Sequence, residues 1–183
     1  MIACEQLDFK GSILTGNQII KEWKAGNITI DPFNADNLNP NSYNVTLGNT
    51  IGKPKLGTTI IDSKHPFDVE KITLPDDGWF IVAPNSLILA ETKETIGSNM
   101  YVPILAGRSS AGRMGVFTHC TGNFGDIGYS GIWTMQLTSV YPIKLYAGQS
   151  IAQIYFLRPY GLPSYRYDGY YNHADGLRAP HGL

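Results

Sequence analysis

Two short stretches concentrate the groups able to do chemistry. In GRSSAGRMG, residues 107–115, Arg108 and Arg113 bracket Ser109 and Ser110 within a glycine-bearing string. Planar cationic forks, small hydroxyl donors and a backbone free to approach closely suit a compact anion such as a triphosphate. The same string also reads as a polar turn leading into a helix, and composition alone does not separate the two. In GNFGDIGYSG, residues 122–131, Gly122, Gly125, Gly128 and Gly131 surround Asp126. A lone carboxylate there either caps a tight turn, or orients a water or a sugar hydroxyl, or holds a metal ion through its phosphates.

The run GDIGYSGIWTMQL, residues 125–137, reads as a β-hairpin entering a buried strand. Alternation puts Trp133, Met135 and Leu137 on one face and Ile132, Thr134 and Gln136 on the other. On the residues alone, Gln136 is an interior amide satisfied by backbone. Several common sites are excluded: there is no GxxxxGK[ST], no GxGxxG after a strand, no HExxH, no GxSxG and no HxE followed by PCxxC. His119 beside Cys120 is too little for a metal site.

The elements that must position these residues are mostly strands. One helical pattern occurs, in LTGNQIIKEWKAGN, with Thr15 as N-cap, Ile19, Ile20 and Trp23 as its apolar stripe and Gly26 as its stop. Thereafter Gly, Pro, Asn and Asp punctuate β-branched and aromatic runs: NITI, SYNVTLG, WFIVA, SLILAETKETI, VPILAGR, GVFTH, GIWTMQLTSV, IKLYAG and SIAQIYF. That spacing predicts an antiparallel barrel or sandwich. Residues 52–78 are less regular, with KHPF and LPDDG as loops. The stretch from Tyr160, rich in tyrosine but without periodicity, either packs on another surface or folds over a ligand.

With 183 residues, 43% hydrophobic and 16% charged, the chain predicts one domain, residues 1–183, whose core needs neither metal nor disulfide. A net charge of −1 without basic runs argues against a surface for long nucleic acids, so any phosphate recognition is local. Cys4 and Cys120 match no CxxC or zinc spacing and read as reduced thiols, which implies a cytoplasmic setting. The N-terminus lacks a signal-peptide pattern and no window reads as a membrane span.

Together the motifs resemble the dCTP deaminase and dUTPase superfamily, the deaminase branch more closely, over roughly residues 12–160. ILTGNQIIKEWKAGNITIDPF resembles the deaminase N-terminal helix and strand, and LNPNSYNVTLGN resembles QPSSYDLRLGN. LILAETKETI resembles the strand before the phosphate motif, GRSSAGRMG is similar to GRSSLARLG, and GDIGYSGIWTMQL to IDPGYxGxWTLEL. The resemblance implies a mainly β fold: a distorted antiparallel β-barrel of the dUTPase-like, β-clip kind, with one short N-terminal helix. It also implies a homotrimer with sites at subunit interfaces and residues 160–183 as a C-terminal lid or arm. Arg108, Ser109 and Ser110 would hold phosphates carrying Mg²⁺, with no metal ligand from the protein. Arg113 would reach the catalytic centre, Asp126 would contact the sugar or the attacking water, and Tyr129 would stack beside the deoxyribose. Gln153, in SIAQIYF, would line the phosphate region, and Gly122 and Tyr171 belong to the same substrate-binding set.

The departures decide the expected chemistry. Gln136 stands where the deaminases carry a glutamate that shuttles protons during attack on cytosine C4. Asn44 replaces an aspartate, Gly122 an alanine, and Tyr170 the lysine of YxGKY. General acid–base steps contribute about 10²- to 10⁴-fold in rate, and an amide cannot supply them. The expectation is therefore a Mg²⁺-dependent pyrophosphohydrolase taking dUTP or a related pyrimidine deoxynucleoside triphosphate to its monophosphate, catalysed by Asp126, Arg113 and Gln136. The alternative is a dCTP deaminase, and a third reading is an inactive nucleotide sensor.

Overall fold

The computed structural model describes residues 12–55, 60–118 and 121–182, so Cys4, His119 and Cys120 lie outside the described residues. The chain runs α1 (Gly16–Lys24), β1 (Ile28–Asp31), β2 (Tyr43–Pro54), β3 (Val69–Thr73), β4 (Trp79–Val82), β5 (Ile88–Ser98), β6 (Val102–Gly107), α2 (Ser109–Arg113), β7 (Val116–Thr118), β8 (Ser130–Ser139), β9 (Ile143–Tyr146) and β10 (Ser150–Leu157). All nine runs read as strands form strands. A tenth, β3, comes from the segment left irregular: charged Glu70 and Lys71 mask its periodicity, and it is held by antiparallel pairing with β2.

The main sheet runs β6-β10-β2-β5-β8-β7, with β1 added to β5 and β3 to β2, and β4 and β9 form a separate ribbon. All of these ladders are antiparallel, and the sheet curls into the distorted barrel expected. Curvature comes from interruptions of register, between Leu47 and Ile51 where β2 meets β5 and between Glu91 and Thr95 where β5 meets β8. Inside are Tyr43, Leu47, Ile96, Leu105, Met135, Leu137, Ile154 and Phe156, each essentially without solvent exposure. Apolar burial of this kind is the main force closing the sheet. Glu94 is buried with them, and its carboxylate accepts from Thr46 N at 3.0 Å and Thr46 Oγ1 at 2.6 Å. Burial pushes its carboxyl above the usual range, against the pull of those two hydrogen bonds.

Helix α1 forms where the apolar stripe predicts it. Thr15 occupies the N-cap without a side-chain cap bond, and Gly26, at φ +76°, ends the helix in the left-handed region. Trp23 stacks on Phe33 at 4.1 Å and donates to the Ile30 carbonyl. The helix reading of GRSSAGRMG holds: α2 follows Arg108 and adds a second short helix to the N-terminal one expected. One expectation needs correction. Residues 125–129 make no hairpin: Tyr129 N bonds to the Asp126 carbonyl, closing a turn with Gly128 at φ +103°. Among the described residues, no helix is long and apolar enough to cross a membrane.

Candidate active site

Strand β8 builds the site. Its Trp133, Met135 and Leu137 point into the barrel, as alternation predicts, which leaves Ile132, Thr134 and Gln136 on the opposite face. That face floors a cavity of about 590 Å³. Beside Gln136 lies Leu89, its ladder partner on β5, with Leu87 and Phe67 extending the apolar wall. Asp126 and Gly122, from the loop before β8, and Tyr129 complete one side.

Gln136 is poorly satisfied. Its Nε2 donates to the Thr134 carbonyl at a long 3.4 Å, and its Oε1 is buried with no partner among the described residues. The expected backbone-satisfied amide is therefore only half realised, and an acceptor stands ready for a ligand donor. Asp126 is exposed and makes no side-chain hydrogen bond among the described residues. It does not cap its turn, so its carboxylate is available to the cavity. Tyr129 donates to the Ile132 carbonyl at 3.0 Å and packs edge-on to Trp133. Burial, then the neighbouring Tyr167, hold its hydroxyl far above its ordinary pKa, with Arg178 opposing, so it acts as a fixed neutral donor.

The C-terminal stretch roofs this cavity from within the same chain. Half of β8 lacks a partner on the edge away from β5, because β7 pairs only with Leu137 to Ser139. The tail fills that edge: Ser130 N bonds to Asn172 Oδ1, His173 N to the Ser130 carbonyl, and Ile132 N to the Ala174 carbonyl at 2.8 Å. Gly131 permits the approach, since a Cβ there would meet Ala174 N at 2.8 Å. Beyond it, Leu177 N reaches Glu91 Oε2, Arg178 N reaches Thr134 Oγ1, and the Leu177 side chain is 1% exposed. Tyr171, Arg178, Ala179 and Pro180 thereby join the lining. Asn172, Leu177 and Arg178 were not legible as site residues: the tail has no periodicity, and its fit depends on an open strand edge far away in sequence.

The phosphate candidates lie elsewhere. Arg108 and Ser109 line a second, more open recess of about 450 Å³ with Gly112, Phe117 and Thr118, and Arg108 donates to the Ser150 carbonyl at 3.2 Å. Ser110 and Arg113 are exposed on α2 and line neither hollow. Gln153 is half-buried on β10, paired with Asn44 and Ala106. One chain therefore unites Asp126, Gln136, Gly122, Tyr129 and Tyr171, and keeps Arg108, Ser109, Ser110, Arg113 and Gln153 apart from them.

Residues 13–158 match the family model described as dCTP deaminase-like. The chain belongs to that family. The dCTP deaminase-like chain is 41% identical over 166 residues to a Clostridium botulinum protein named "dCTP deaminase, dUMP-forming", covering 91% of this chain and 94% of that one. A Clostridium acetobutylicum protein of the same name is 42% identical over 144 residues, 79% of this chain and 81% of its own. Among solved structures, the 2'-deoxycytidine 5'-triphosphate deaminase of Agrobacterium tumefaciens superposes with a TM-score of 0.64 at 16% identity. That match covers 83% of this chain and 50% of the other, and it supports the mainly β barrel. The relatives' name joins deamination to dUMP formation, which favours the deaminase alternative over the pyrophosphohydrolase first expected.

Proposed function

We propose that the chain acts on dCTP, removing the 4-amino group as ammonia and releasing diphosphate to leave dUMP. The reading rests on one juxtaposition: the cavity that carries Gln136 also carries Asp126, its single carboxylate among the described lining residues. Whole-length likeness to relatives named for this pair of reactions supports it. One water adds to cytosine C4 and gives up a proton, ammonia leaves from C4, and a second water displaces diphosphate at the α-phosphorus. Asp126 is the group able to take and return protons. Gln136 cannot carry one, but its free Oε1 and weakly held Nε2 suit it to fix the base edge.

The triphosphate would extend from this cavity to Arg108, Ser109 and Ser110 of a neighbouring copy, because the same chain holds Arg108 and Ser109 in a separate recess and Ser110 outside both hollows. A homotrimer would supply that neighbour. Mg²⁺ would be carried on the phosphate oxygens, with Arg108 and Ser109 holding the phosphates. Bound there, the ion would offset phosphate charge.

A second reading, hydrolysis of dUTP to dUMP without deamination, is favoured specifically by the amide at Gln136. Incubation with Mg²⁺ and either dCTP or dUTP, following ammonia, diphosphate and monophosphate, separates the two. Ammonia, diphosphate and dUMP from dCTP support the first; diphosphate from dUTP, with no ammonia from dCTP, supports the second. Tight binding with no product would leave an inactive sensor.

A further inference from the structure

The cavity presents one carboxylate, Asp126, and a single cation among its described lining residues, Arg178 of the C-terminal arm. Without Arg178 its walls would carry net negative charge toward a nucleotide that is itself an anion. The guanidinium is not committed elsewhere. Its Nε is buried and unpartnered among the described residues, and its Nη2 lies a long 3.7 Å from Asp175, whose side chain is 96% exposed. An exposed pair at that distance holds a side chain weakly. The backbone beneath is fixed: Arg178 N bonds to Thr134 Oγ1 at 2.8 Å, Leu177 N to Glu91 Oε2 at 3.1 Å, and Leu177 is sealed inside. A rigid backbone therefore carries an under-satisfied cationic fork at the rim of the hollow that holds Asp126 and Gln136.

We propose that Arg178 is a ligand-binding residue whose guanidinium takes a phosphate oxygen of the bound nucleotide, in the cavity covered by its own chain's arm. The inference rests on the nucleotide reading given above. A guanidinium with an unused buried Nε gains a charge-assisted, directional bond from phosphate and little from an uncharged base. An arm holding this cation also makes closure favourable when the negative ligand is present.

The test is equilibrium binding of deoxycytidine, dCMP and dCTP to the full-length protein, which needs no turnover. Arg178→Gln should weaken dCMP and dCTP about tenfold or more while leaving deoxycytidine unchanged, the loss shrinking as salt rises. Arg178→Lys should retain only part of the affinity, since the charge stays but the directional Nε bond is lost, and Asp175→Asn should leave it unchanged or raise it slightly. Limited proteolysis of the tail reports whether the arm stays docked in each variant. Equal affinity of wild type and Arg178→Gln for dCMP would overturn the inference alone, as would an equal loss for deoxycytidine and dCMP. Failure of the wild type to bind any of the three probes would overturn the nucleotide reading and this inference with it.

Discussion

Substituting Gln136→Glu asks whether the base end of the cavity is a deaminase site lacking one proton carrier. The exchange is isosteric, so it opens no void and forces no overlap. What it removes is the 3.4 Å bond from Nε2 to the Thr134 carbonyl, already long enough to contribute well under the roughly 1 kcal/mol of a good hydrogen bond. What it adds is a carboxylate between that carbonyl and the apolar wall of Leu87, Leu89 and Phe67, surroundings that raise a carboxyl's pKa toward neutrality. A group so placed can both give and take a proton, and a positioned acid–base group contributes about 10²- to 10⁴-fold in rate. Ammonia release from dCTP, followed by a coupled assay at pH 6–8, should therefore rise by at least about two orders of magnitude, with KM changed far less. Thermal stability should fall slightly, and more as pH rises, because the new carboxyl's raised native pKa makes its ionisation unfavourable on folding. An unchanged ammonia rate in a protein that still binds dCTP would refute the assignment of residue 136 to the base end.

Asp126→Asn should lower turnover about 10²- to 10⁴-fold while leaving dCTP affinity within a few-fold, measured by steady-state kinetics beside equilibrium binding. On the proposed reading, in which a homotrimer builds each site from two copies, Arg108→Ala and Asp126→Asn, each inactive alone, should recover about a quarter of wild-type activity when mixed and reassembled. No recovery after verified subunit exchange would place both residues in one chain's site. Leu177→Ala should weaken arm docking by about 2–5 kcal/mol, read as faster tail proteolysis and a higher KM with the barrel's melting temperature little changed. Glu94 should make the fold pH-sensitive. Its native pKa is raised by burial, so its neutral form stabilises below the ordinary glutamate range and that stability is lost as pH climbs through the native value. Relative to wild type, Glu94→Gln should melt progressively higher as pH rises above the ordinary glutamate range, levelling off once pH passes Glu94's raised native value, in calorimetric scans.

The strands were legible because each carries β-branched or aromatic residues between turn formers, and α1 because Ile19 and Trp23 repeat at helical spacing. Strand β3 was not, since its identity is conferred by β2 alongside it and not by Val69–Thr73 themselves. Helix α2 was legible only as one of two readings of GRSSAGRMG: five residues, two of them serine and one glycine, have little helical preference, and Arg108 takes its N-cap geometry from the end of β6. At the site, the face on which Gln136 lies follows directly from a period of two. Its neighbours do not. The arm meets β8 through an edge left open by the shortness of β7, a property of pairing that no local pattern in Tyr160–Pro180 records.

This arrangement divides recognition in a physically consequential way. The groups that would distinguish one base from another lie on β5 and β8, whose ladder runs from Ile88 opposite Leu137 to Gly97 opposite Ser130. Those positions are as rigid as the barrel itself. The groups suited to phosphate lie off that ladder, on a short helix start and on the arm docked against β8. On the proposed reading, an amide at 136 changes the chemistry at the base end and leaves the phosphate-facing groups in place. The converse also holds: altering Arg108 or Arg178 should scale affinity for all pyrimidine deoxynucleotides together. Only changes on β5 and β8 should alter the ratio between cytosine and uracil substrates, and that separation of affinity from selectivity follows from which elements carry each set of groups.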